Sequence, residues 1–461
     1  MKPRILPDQF HSGEPETMIR TRTFAPRRFF TLLAALTVLH IGAVCAHAHQ
    51  EIPGEKQKKP VALTNARVYT ITGGVLDSAT VVFDKGVITA VGRVVSIPAG
   101  AEVRDCKGAS VYPSFIAPNT TLGLTEIDAA RPTRDMSESG IFNPNARAEI
   151  AYNPDSELLP TVRSNGMLIA NSVPQGGVVS GMAALMMLDG WTKEDCGLKL
   201  QSALAVNFPS MATYSAPGMS RSADQQRTDI EKNVKQLYDY FTKARMYSLA
   251  ARNGLADNDR DIRLEAMRAV FEKNLPVMID CGEMKQILGA IDFAKHFQLN
   301  AILVGCEDAQ YCTKEIRASG YPVIAARVHG LPTRENEGYD KTFVLPKHLH
   351  EAGIPFAFTD NGSWQQRNLA FNAGSAVAFG LPEAEALKAL TIHPARMFGV
   401  DNRVGSLEVG KDATLFVSKG NALDGLTNNL VMAFVQGRDI SLQNRHTRLA
   451  EKYRTKFRRA K

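Results

Sequence analysis

Cysteine is sparse in this 461-residue chain. Six occur, and five of them (Cys106, Cys196, Cys281, Cys306 and Cys312) lie after residue 48. An odd, scattered set excludes a disulfide framework and offers no zinc-finger spacing, so buried thiols are expected. Long apolar runs are scarce as well. The single run, "FFTLLAALTVLHIGAV" at 29–44, is short for a bilayer span, and no other stretch approaches one. Charge of one sign is not in excess. Against 47 acidic residues stand 54 basic ones, a net +7, and residues 1–48 supply +3 of it (six basic, three acidic). The +4 left on so long a chain is no nucleic-acid signature, and no nucleic-acid partner is expected. The Gly-rich stretch 173–185 has neither a Gly-x-Ser-x-Gly elbow nor a P-loop lysine. The Gly-rich "VPQGGVVSGMAAL" (173–185) reads as a tight turn whose N–H groups could line a pocket.

What is present begins with an export signal. "RTRTFAPRR" is a basic segment ahead of the apolar run, and Ala46-His47-Ala48 fits small-residue cleavage after Ala48. Met18 is the expected start, since residues 1–17 lack this pattern. The leader predicts an exported, periplasmic protein. Residues 49–60 ("HQEIPGEKQKKP") read as a linker.

Beyond it the chain has three styles. From 61 to 112, short β-branched runs alternate with turn signals such as Thr72-Gly73-Gly74 and Asp84-Lys85-Gly86, and 398–445 repeats that style. The two ends predict one composite β-sandwich domain. Between them, 113–397 alternates apolar strand-length runs with amphipathic helical stretches: "PVMIDCGEM" before "KQILGAIDFAKHFQL", "AILVGCEDA" before "QYCTKEIRASG". That rhythm predicts parallel strands with helical crossovers, an α/β fold of the (β/α)8 TIM-like barrel type, with a helical insertion at 208–260. Residues 446–461 form a basic, helix-like tail whose charges read as a solvated surface.

Several phrases resemble the amidohydrolase superfamily, in its imidazolonepropionase-like secreted subgroup. "LTNARVYTITGG" with "GVITAVG" is similar to its opening strands, "ALKALTIHPARMFGV" to its last barrel helix, and "RVGSLEVGKDATLFV" to its return to sheet. The resemblance covers about residues 60–455. It implies metal-dependent hydrolysis of C–N bonds in amides and cyclic amides. In that chemistry a divalent ion such as zinc lowers the pKa of a bound water and polarises the carbonyl. The implied ligands are a His-x-His after the first barrel strand, histidines after strands five and six, and an Asp after strand eight.

Carried over position by position, the histidines are missing. "YPSFIAPNTTLGL" (112–124) places Asn119 and Thr121 at the His-x-His positions and Ala117 before them. Strand five offers Asp280 and Cys281, strand six Gly305 and Cys306. Only the strand-eight acid remains, Asp360, which is the catalytic candidate. Asn119, Thr121, Asp280, Cys306 and Arg367 are the candidate pocket residues. A rebuilt metal set would draw on Asp280, Cys306 and Asp360. Among the histidines, only His329, after strand seven, could reach the mouth. The expectation is a catalytically impaired ligand-binding or partner subunit that takes a small amide-like molecule or pairs with a paralogous amidohydrolase or a second copy. The alternatives are an active hydrolase with a rebuilt site around Asp360, and a structural envelope protein.

Overall fold

The computed structural model describes residues 52–214, 221–254, 259–360 and 362–457. The leader, the start at Met18 and the cleavage after Ala48 lie outside the described residues, as do 49–51 of the linker and 458–461 of the tail.

Two eight-stranded sheets organise the chain. The first joins both ends of the sequence. It holds β1 (Val61–Tyr69), β2 (Val75–Asp84), β3 (Val87–Gly92), β4 (Glu102–Asp105) and β5 (Ser110–Pro113), then β14 (Leu415–Ser418), β15 (Leu430–Val435) and β16 (Arg438–Asp439). The order is β16-β15-β14-β5-β1-β2-β3, with β4 also on β1. β5 and β14 pair antiparallel through Tyr112 and Phe416, which seams the two ends together. The sheet is continuous: β1 pairs with β4 along its first half and with β5 along its second. Leu63, Val81, Phe83, Val111, Leu415 and Phe434 form a core separate from that of the barrel.

The second sheet contains β6 (Phe115–Thr120), β7 (Met167–Ser172), β8 (Val179–Met187), β9 (Gly197–Asn207), β10 (Val277–Cys281), β11 (Ala301–Gly305), β12 (Val323–Ala325) and β13 (Phe356–Phe358), in chain order across the sheet. It closes almost fully into a barrel. Thr359 Oγ1 donates to the Asn119 carbonyl at 3.0 Å, and Thr120 Oγ1 to that of Gly362 at 2.7 Å, tying the ends of β6 and β13 together. The α/β barrel is therefore as expected, but the uniform β-then-α rhythm is not. β8 runs antiparallel to both β7 and β9. The reason is chain length: only residues 173–178 separate β7 from β8, and a parallel crossover needs roughly a dozen or more.

Helices pack outside the barrel where connections are long enough. They are α1 (Leu158–Arg163), α2 (Ala223–Arg252) within the insertion, α3 (Ile262–Glu272) just after it, α4 (Met284–Phe297), α5 (Thr313–Ser319), α6 (Lys341–Glu351), α7 (Leu369–Ala378), α8 (Glu383–Leu390), α9 (Ile392–Met397) and α10 (Arg445–Phe457). In α4, Ile287, Ala290, Ile291, Ala294 and Phe297 recur at helical spacing and, with Phe293, are the residues it buries. α2 begins with a capping box, Ser222 with Gln225, which satisfies amides that would otherwise face water alone. Gly405 has φ +93°, and a Cβ there would meet Ala395 Cβ at 2.8 Å, so only glycine lets the returning chain cross α9.

Candidate functional site at the barrel mouth

Because β6, β7 and β9–β13 run in one direction, their C-terminal ends share one mouth. Residues alternate across each strand, so Met278 and Asp280 of β10 point one way and Cys281 the other. The Asn171 amide of β7 donates to Met278 Sδ at 3.4 Å and to the Pro118 carbonyl at 3.1 Å. Asp280, on that same face, is exposed although its strand neighbours are buried. Burial at the recessed strand end, with Glu307 facing it, pushes its carboxyl up to about 6. It touches water and yet is hemmed in by protein, as a group at the bottom of a concave mouth would be.

Asp360 is fully buried. Its Oδ1 lies 3.2 Å from Nε of Arg327, whose side chain is 40% exposed, and its Oδ2 accepts from Asn372 Nδ2 at 3.1 Å. The arginine contact is a charge pair and not an aligned hydrogen bond. The Gln366 amide NH2 donates to the carbonyls of Asp360, of Gly362 at 3.0 Å and of Asn119 at 3.3 Å, so one side chain clamps β6 to β13 under the acid. His329 lies close by. Its Nε2 shares a hydrogen bond with Ser375 Oγ at 2.7 Å, and its backbone N–H donates to Asn372 at 3.0 Å. Burial lowers its pKa, opposed by the Asp360 charge and assisted by Arg327. Arg367 stacks over the Trp364 ring at 4.2 Å. Burial lowers its pKa while Asp360 pulls it back up. Arg327, His329, Asp360 and Arg367 thus form one charge-coupled cluster.

The remaining candidates distribute differently. Thr121 is buried and Asn119 half-buried, and the Asn119 backbone oxygen, not its side chain, carries the clamp. Gly123 then turns the chain at φ +79°, with the Tyr152 ring so near that a Cβ would sit 2.3 Å from it. Cys306 belongs to another cluster. Its Sγ is 3.8 Å from Cys281 Sγ, both fully buried on the side of β10 opposite Asp280. The Cys281 contact and burial push the Cys306 thiol far up. Asp280, Cys306 and Asp360 therefore face Glu307, Cys281 and Arg327 respectively. Among the described residues no three His, Cys, Asp or Glu side chains gather to hold a metal. A zinc ion needs about four donors, preferably imidazole or thiolate. The donor set here does not fit it: the surviving acid faces a guanidinium, and the thiols face each other.

A second buried network holds the loop after β12 in place. Asp308 takes Arg334 at 2.7 Å and Lys341 at 2.8 Å, and Glu337 takes Arg334 at 2.8 Å and Lys341. Burial acts to raise both acids, but hydrogen bonds win, from the Arg334 and Lys341 side chains to Asp308 and from Lys341 and the Arg334 and Thr333 backbone amides to Glu337, leaving each at about 2. The amides of the Gly-rich turn are spent on the loop after β6. Gln175 N–H donates to Met136 and Val178 N–H to Ile141, each at 2.7 Å. That use leaves these two amides to the loop instead of a ligand.

Sequence reasoning passed over Arg327, Gln366 and Asn372. For Arg327 a signal existed: it stands two residues beyond the end of β12 and two before His329, on the loop that leaves the barrel mouth.

Known proteins share this architecture. The Amidohydrolase family matches residues 198–440. The amidohydrolase tasK of Hapsidospora irregularis is 20% identical over 365 residues, which is 73% of this chain and 37% of that protein. The chain thus spans little more than a third of the relative's length. Among solved structures, an amidohydrolase from Thermotoga maritima MSB8 superposes with a TM-score of 0.72 at 23% identity, over 83% of this chain and 99% of that one. Molinate hydrolase superposes at 0.50 and 14% identity, over 84% and 96%. These likenesses establish a shared fold. The sequence match extends over more than half of the chain, from β9 to beyond β16, and so this chain belongs to the amidohydrolase family.

Proposed function

We propose that this amidohydrolase-family protein is catalytically impaired and uses its barrel mouth to bind a small amide-like molecule that carries a carboxylate. One observation carries this reading: Arg327 stands 3.2 Å from Asp360, as the charge partner of the acid that the family assigns to metal and water. An acid neutralised by a guanidinium is a poor general base, because taking a proton would forfeit the ion pair. The same cations suit binding. Arg327 and Arg367 supply planar donors for a ligand carboxylate, and His329 lies beside them. Asp280 and the Asn119 amide supply hydrogen-bonding groups for an amide. Two further roles fit a binding subunit: association with a paralogous amidohydrolase or a second copy, and residence in the periplasm, which rests on the leader at 1–48.

The test is a binding and turnover assay with small N-acyl amino acids. Thermal stabilisation by such ligands, lost in Arg367→Met, with no hydrolysis above the rate of buffer, is the expected result. Hydrolysis that disappears in Asp360→Asn would overturn the impairment.

A second reading keeps activity through Asp280. Its carboxyl at about 6 is accessible at the mouth and titrates near neutral pH, as a general base does. Turnover abolished in Asp280→Asn and retained in Asp360→Asn would favour it.

A further inference from the structure

We propose that α10 docks onto an anionic lipid surface. Residues 445–461 hold eight basic side chains against Glu451 alone, a net +7 that equals the formal charge of the whole chain. The other 444 residues therefore sum to zero, the +3 of residues 1–48 offsetting −3 over 49–444, so this segment stands as a strongly basic end on a chain body of the opposite sign. α10 spans Arg445–Phe457 and buries none of its residues.

Its apolar residues are not scattered. Leu449, Tyr453 and Phe457 are 38%, 51% and 61% exposed and recur every fourth position. At roughly 100° per residue they share an arc of about 80°. Tyr453 and Phe457 stack at 6.5 Å between ring centroids. Arg445, Arg448, Lys452 and Lys456 fall along one flank of that arc and Arg454 beyond the other, while Glu451 and Thr455 lie on the far side. An exposed apolar stripe bordered by Lys and Arg is the pattern of a helix that lies in a membrane interface. The cations answer anionic headgroups and the stripe enters the acyl boundary. Duplex nucleic acid would use the cations but has no use for Leu449, Tyr453 and Phe457. None of the described helices is long and apolar enough to cross a membrane, so the contact would be peripheral.

Among the described residues, contacts tie the helix to the barrel near its base. Arg448 pairs with Glu157 at 3.6 Å, the Asn444 amide donates to Ser164 at 3.1 Å, and His446 meets the edge of Trp364 at 5.2 Å. Trp364 is the ring on which Arg367 stacks, so the docked helix would orient the barrel mouth relative to the lipid.

The experiment is co-sedimentation of the full chain with vesicles. Binding to phosphatidylcholine vesicles carrying about one third phosphatidylglycerol should exceed binding to pure phosphatidylcholine by at least about tenfold at low salt. Leu449→Ser/Tyr453→Ser/Phe457→Ser should weaken it by at least about tenfold. Lys452→Glu/Lys456→Glu, which keeps the stripe, should lose the preference for phosphatidylglycerol. Circular dichroism melts verify that both variants fold. Equal binding to the two vesicles would overturn the proposal. So would a triple-serine variant that binds as well as the native chain, mixed-sequence duplex DNA held more tightly than the anionic vesicles, or self-association through the helix that blocks the vesicles.

Discussion

Replacing Arg327 by methionine tests the charge pair at the mouth. At the observed 3.2 Å, two unit charges attract by about 5 kcal/mol at an effective dielectric of about 20 and by about 1.3 kcal/mol in water. Arg327 is 40% exposed, which draws the value toward the lower end. Arg367 also senses the Asp360 charge and would compensate in part. The Asn372 hydrogen bond stays in place. Arg327→Met should therefore cost about 1–3 kcal/mol at pH 8, read from urea denaturation. Adding Asp360→Asn to the variant should recover most of the loss, because the buried charge that wanted Arg327 is gone. A loss below about 0.5 kcal/mol would refute the reasoning. So would a double variant whose loss is the plain sum of the single ones.

Other groups make separate predictions. Asp280 has its pKa raised from 3.8 to about 6, so the folded state carries a penalty above that range and none below about pH 4. Asp280→Asn should stabilise the protein by up to about 1 kcal/mol at pH 8, discounted for its exposure, and not at all at pH 4 in a thermal melt. Asp308 and Glu337 are both lowered to about 2, so their contribution is present above the ordinary carboxylate range near 4 and is lost as pH falls through 2. Lys341→Met should cost about 3 kcal/mol near neutrality, since it strips one of two cations from two buried acids, and the deficit should close in acid. The five described cysteines are all buried, and burial pushes Cys106 up to about 11, Cys196 to about 12 and Cys312 to about 12. The native protein should thus react with a thiol reagent at pH 8 at least about a hundredfold more slowly than the urea-unfolded chain.

The sequence carried the fold further than the site. The strand runs around Ile116, Ile279, Leu303 and Phe358 are short and largely apolar because both faces of a barrel strand are mostly buried, the polar Asn119 and Asp280 falling near the strand ends. That signal is local, and so it is readable. The reversal of β8 was harder to see, because "GMAALMM" has the same composition whichever way it runs. Only the six-residue link from 173 to 178 betrays it. At the mouth, the loss of histidine at Asn119 and Thr121 could be read by position. What replaced it could not. The pairing of Arg327 with Asp360 joins residues 33 apart in the chain, and Gln366 clamps Asn119 from 247 positions away. Nor does an i, i+1 neighbour relation reveal that Asp280 faces the mouth and Cys281 the thiol cluster, unless the strand's inner face is known. Cys306 accordingly lies against Cys281, on the other side of β10 from Asp280.

At the barrel mouth, the Arg327 guanidinium balances the charge of Asp360. Elemental analysis of the full chain, purified without chelator and then equilibrated with a slight excess of zinc and desalted, tests it most directly. The expected result is well under about 0.1 zinc per chain, with Arg327→Ala gaining metal only weakly, because the imidazole and thiolate donors are still missing. One zinc per chain in the native protein, lost in Asp360→Asn, would contradict it.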